Sequence, residues 1–158
     1  MGGLSTRADA AAKYSAFFCP ECKASWTGNQ WWVSDYVVNK WIITNLASGN
    51  QRPLKMVGVM SPSQKVILMD ASAQGNPLSY GGGEISDSLK TSYTPPATAE
   101  ATKNGDLGFR HLPVSKGSLS NSACNMAFLD GHVEAVKNND PRLKSQTELK
   151  RLFDPLYP

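Results

Sequence analysis

A chain of 158 residues, 41% hydrophobic and 18% charged, fits one domain spanning 1–158 with a sizeable core and excludes a charge-dominated disordered tail. A net charge of +3 from scattered Lys and Arg is too small to argue for nucleic acid. Three cysteines argue against a fully paired disulfide framework, while plentiful Gly, Pro, Ser and Asn suit a loop-rich fold of extracellular type.

Residues 5–16, rich in alanine with Asp9 and Lys13 four apart, predict a short helix ending before Pro20. They contain no apolar run near the roughly 20 residues that a membrane span requires. Residues 31–44 are aromatic and β-branched and predict a strand or a pair of strands. Residues 45–53 form a polar connection, 54–59 have no clear period, and 64–69 predict a strand ending in Asp70. Residues 71–103 turn to Gly, Ser, Thr and Pro, a long loop of the kind that tends to be functional or mobile. Residues 107–111 suggest another short strand.

Asp130-Gly131 then sits between two short apolar runs, the sequence of a tight two-residue hairpin turn. That turn sets Leu129 opposite His132 and Phe128 opposite Val133. Met126, Phe128, Val133 and Ala135 would share the apolar face, and Asn125, Ala127, Leu129, His132, Glu134 and Val136 the mixed one. In the tail, Asp140-Pro141 suits a helix N-terminus, and Ser145 with Glu148 offers an alternative capping box. Leu149, Leu152 and Phe153 are available to pack. The whole reads as α+β, an antiparallel sheet with long loops and short flanking helices.

The run Asn125-Met126-Ala127-Phe128-Leu129-Asp130-Gly131-His132-Val133, preceded by His111, resembles the C-terminal signature of the prepilin-type, pseudopilin-like proteins marked by His-x9-Asp-Gly. Phe18-Cys19-Pro20 resembles that family's Cys-Pro step into the globular domain. Ser34-Asp35-Tyr36-Val37-Val38-Asn39 resembles its Ser-x-Tyr-x-x-Asn strand. Ser61-Pro62-Ser63-Gln64-Lys65, followed by an apolar strand and Asp70, resembles a further segment in the expected order. Eighteen residues, where the family has nine, separate His111 from Asp130, so residues 116–122 read as an insertion. The family's leader and long apolar helix are not in these residues, and the start at Met1-Gly2 is the one expected of a trimmed chain.

The resemblance implies a pilin-like globular domain made with a prepilin leader. Such a protein is processed at the inner membrane and displayed at the cell surface, in the periplasm or outside the cell. It implies a non-catalytic structural subunit of a type II secretion-like or type IV pilus-like assembly. Its partners would be other pilin-like subunits, packed through the N-terminal helix, with the membrane reached only through that helix. Loops 71–103 and 112–122 would face partners.

Two constellations carry chemistry of their own. Cys19-Pro20-Glu21-Cys22 has the spacing of two thiolates on one tetrahedral ion, and Cys124 with His111 or His132 could complete a Cys3His set. The plainer reading is a local disulfide, or two semi-buried thiols at the start of the sheet. His111, Asp130 and His132 could hold a divalent ion with Asp70 as a further ligand. The plainer reading makes Asp130 a turn residue bonding its own backbone, and His111 a lock on the hairpin. No cofactor is required beyond such an ion.

Two other function classes compete with the structural subunit. Trp31 and Trp32, with Trp26, Tyr36 and Trp41 nearby, could stack on sugar rings and make the chain a carbohydrate- or surface-binding module. Neighbours on a strand point to opposite sides, so at least one of Trp31 and Trp32 is read as core. A small metal-dependent enzyme would use His111, Asp130 and His132. No Gly-x-Ser-x-Gly elbow is present, and Gly81-Gly82-Gly83 does not open a predicted helix, so no catalytic residue is assigned.

Overall fold

The computed structural model describes residues 4–6, 16, 19–20, 27–30, 35–39, 42, 56–70, 107–109, 111 and 122–158. Trp31, Trp32, Cys22 and both long loops lie outside the described residues. Leu4–Thr6 (β1) pairs antiparallel with Thr27–Gln30 (β2). A second antiparallel sheet runs in chain order through Tyr36–Val38 (β3), Val66–Asp70 (β4), Ala123–Phe128 (β5) and Val133–Lys137 (β6). Gln146–Phe153 forms a helix (α1). Among the described residues, strands and helix are segregated, an α+β arrangement.

Two elements differ from expectation at the N-terminus. The helix predicted over 5–16 does not begin as a helix, because Ser5 and Thr6 are extended in β1. Residues 27–30 pair as a strand although Thr-Gly-Asn-Gln has little intrinsic strand preference; partner hydrogen bonds override propensity here. The strand predicted over 64–69 is observed as β4, and the aromatic stretch delivers β3.

The core lies between the sheet and the tail. Leu149, Leu152 and Phe153 fall on one stripe of α1 and join Met126, Phe128 and Val136 in a single buried cluster. Asp140 does act as an N-cap, since its Oδ1 accepts from the Arg142 backbone N–H at 2.9 Å, but the element it caps is the 3-10 turn Pro141–Leu143. Ser145 occupies the N-cap of α1 without a side-chain cap bond, and Glu148 pairs with Arg151 instead of closing the box.

The hairpin corrects the predicted register. Ala127 pairs with Val133, Met126 with Glu134 and Cys124 with Val136. The Phe128 N–H donates to the His132 carbonyl at 2.9 Å and the Gly131 N–H to the Phe128 carbonyl at 3.0 Å, so the loop holds three residues. Gly131 takes φ +96°, the left-handed residue that a three-residue loop needs. One extra loop residue turns β6 over: Val136 is buried, while Val133 is 69% exposed.

Candidate functional site

β4 ends in a buried acid. The last residue, Asp70, is 0% exposed, and its neighbours fix it from several sides. Its backbone carbonyl accepts from the Gly108 N–H at 2.9 Å and from the Cys124 thiol at 3.4 Å. Its side-chain Oδ2 accepts from the Asn125 backbone N–H at 2.7 Å. Adjacent strand β5 therefore positions the carboxylate through its main chain, which no substitution at Asn125 other than proline would remove.

His111 reaches this acid from the segment that precedes β5. Two backbone bonds clip it to Ala123: His111 N–H to the Ala123 carbonyl at 3.0 Å, and Ala123 N–H back at 2.7 Å. With the backbone held, His111 Nε2 lies 3.1 Å from Asp70 Oδ2. The third member comes from the N-terminal side. Cys19 donates its backbone N–H to Asp35 Oδ2 at 2.7 Å, and its Sγ lies 3.5 Å from the same His111 Nε2. Cys19 is 1% exposed, and Cys22 lies outside the described residues. Thiol sulfur, carboxylate oxygen and imidazole nitrogen lie within 4.8 Å of one another.

The structure thus joins half of each predicted constellation. Cys19 of the Cys-x-x-Cys pair meets Asp70 and His111 of the other, while Cys22 lies outside the described residues. Asp130 and His132 stand apart at the hairpin tip. His111 bridges Ala123 at one end of β5, and the tip follows Phe128 at the other, about 17 Å along an extended strand. At the tip Asp130 Oδ1 accepts from the His132 N–H at 3.2 Å and faces its Nδ1 at 2.6 Å. The backbone bond from His132, then its ring, hold the Asp130 carboxyl below the usual range. The His132 ring stacks on Phe128 with centroids 4.3 Å apart. Asp130 is a turn residue, as its spacing predicts. His111 locks the foot of β5, not the turn.

Three buried polar residues escaped the sequence reading as functional parts of the fold. Lys65 is 0% exposed and donates from Nζ to the Arg151 and Tyr157 carbonyls at 2.6 and 2.7 Å; burial pushes its pKa down from 10.5. Asn39 donates from Nδ2 to the carbonyls of Val66 at 2.9 Å and Phe153 at 3.0 Å. Asp35 anchors Cys19. Lys65 abutting an apolar run is the one local hint, since a lysine flanking a buried strand must place its ammonium somewhere polar.

No family model, curated protein or solved structure matches this chain. The chemistry of the cluster is set by its own atoms. A cysteine nucleophile activated by a His-Asp relay needs the thiol and the carboxylate on opposite ring nitrogens. Here both face Nε2, so the ring cannot take the Cys19 proton on one nitrogen while Asp70 orients it through the other. The arrangement can fasten three segments together, or it can surround a cation.

Proposed function

We propose that this chain is the globular domain of a pseudopilin-like, non-catalytic structural subunit of a type II secretion-like or type IV pilus-like assembly. The observation that supports it is where the family-like segments spend their polar side chains. Asn39, Lys65, Asp70 and His111 each tie together chain positions far apart in sequence, inside an antiparallel sheet. Such residues build a rigid scaffold. A scaffold of this kind can present surfaces to partners.

The outer face of the sheet fits the same reading. Val38, Leu68, Ala127 and Val133 pair in one row across all four strands, with Leu68 and Val133 exposed. An apolar row on a surface is suited to protein contact. No helix among the described residues is long and apolar enough to cross a membrane, so the reading requires an apolar helix upstream of this domain.

The test is the N-terminal sequence and mass of the native gene product in membrane and shed fractions. A processed, N-methylated apolar helix preceding this domain is the expected result. A native start at Met1 in a cytosolic fraction would overturn the proposal.

A further inference from the structure

We propose that Cys19, Asp70 and His111 bind one divalent transition-metal ion, with Zn2+ the best chemical match. The inference concerns a structural ion in the sheet and stands whether or not the domain belongs to a surface assembly.

Geometry supplies the first argument. Zinc takes sulfur at about 2.3 Å, nitrogen at about 2.0 Å and oxygen at about 2.1 Å in a tetrahedron, which places neighbouring ligand atoms about 3.4–3.6 Å apart. The Cys19 Sγ to His111 Nε2 separation is 3.5 Å and the His111 Nε2 to Asp70 Oδ2 separation is 3.1 Å. A few tenths of an ångström complete the second. These atoms come from three segments of chain and all lie within 4.8 Å of one another.

Ligand type supplies the second argument. An imidazole nitrogen, a carboxylate oxygen and a cysteine sulfur are each a zinc ligand, and here all three face one another.

Charge gives the third argument. Binding deprotonates the Cys19 thiol and releases that proton to solvent, while His111 binds as neutral imidazole and Asp70 as carboxylate. Two negative ligands and one divalent ion sum to zero, so the filled site carries no net charge into a buried place. Thiolate and imidazole disfavour Ca2+ and Mg2+, which take oxygen ligands, and suit borderline-soft zinc.

Each ligand is also held from behind. Asp35 fixes the Cys19 backbone, the Asn125 N–H fixes Asp70 Oδ2, and the double bridge to Ala123 fixes His111. Outer contacts of this kind orient metal ligands and raise affinity. The fourth tetrahedral position falls to water or another side chain.

The test uses the whole chain and Co2+, which replaces zinc and absorbs visibly in a tetrahedral thiolate site. One Co2+ per chain is expected, with a thiolate-to-cobalt charge-transfer band and displacement by Zn2+. Cys19→Ser should abolish the band, Asp70→Asn and His111→Ala should each weaken binding at least tenfold, and Cys124→Ser should keep both. Zn2+ should raise the melting temperature of the wild type and leave that of Cys19→Ser unmoved. Wild-type protein that takes up no stoichiometric Co2+ overturns the proposal, and that measurement needs no variant to fold. So does a band that survives Cys19→Ser. So does full affinity in both Asp70→Asn and His111→Ala, the behaviour of a bare Cys-x-x-Cys pair.

Discussion

His111 joins Asp70, Cys19 and Ala123, three positions from separate parts of the chain. Its imidazole faces a carboxylate with no solvent exposure, where a lost hydrogen bond costs more than at the surface. In metal-free buffer His111→Ala is expected to cost about 1–3 kcal/mol in urea unfolding. Unchanged stability would mean that the His111 ring contributes nothing to holding this part of the sheet. Gly131 tests a different term. A Cβ there meets nothing within 4 Å, so only the φ of +96° opposes a side chain. Gly131→Ala should cost about 1–2 kcal/mol through backbone strain, with the β5 and β6 amides still protected. Asp140 adds a pH dependence. The Arg142 side chain first, then its backbone N–H, hold this carboxyl below its ordinary 3.8. Its stabilisation is therefore present above that value and fades as pH falls through the lowered one. Asp140→Asn should flatten the stability curve below about pH 4, so that wild type and variant differ less in acid than at neutral pH.

At the level of elements, β6 separates pattern from register. Its sequence alternates well enough to be read as a strand, yet nothing in Val133-Glu134-Ala135-Val136 says which valine faces in. The turn decides, and Asp-Gly fits both a two-residue loop and the last two positions of a three-residue one. Val136→Ala should cost about 2 kcal/mol as a core truncation, whereas Val133→Ala should stay within about 0.5 kcal/mol as a surface change. The reverse order would restore the two-residue turn. Joining β4 to the tail, Lys65 plays a comparable part. Replacing it with methionine removes the donor to two carbonyls and should cost about 1–3 kcal/mol. Because burial lowers its pKa, the unfolded chain binds more protons between the lowered value and 10.5, and stability rises with pH across that window. Urea midpoints at about pH 8 and pH 10 should therefore move further upward in wild type than in Lys65→Met.

For the molecule as a whole, local pattern and long-range placement were legible to different degrees. The β4 strand, the hairpin, and the packing stripe of Leu149, Leu152 and Phe153 follow from period and turn chemistry, which act within a few residues. The Cys19, Asp70 and His111 cluster spans 92 residues between its ends, and no local rule places a sulfur against a ring so far away. All three were candidates by residue type; their partnership comes from the sheet order β3-β4-β5-β6 and the bridge to Ala123. Asp130 shows the converse. A conspicuous local motif led to a ligand role that topology denies it beside His111, because a strand's length lies between them. Residue chemistry nominates, and topology selects.

The Lys65 clamp also sets an order in time. Its acceptors, Arg151 and Tyr157, lie 86 and 92 residues further along the chain. At roughly 5–20 residues per second, a ribosome needs on the order of 5–18 seconds after making Lys65 before the second carbonyl exists. Until then the ammonium lacks the second of the two carbonyls that hold it in the folded chain. The sheet can begin to pair as it emerges, but the Lys65 clamp closes only after Tyr157 has been added.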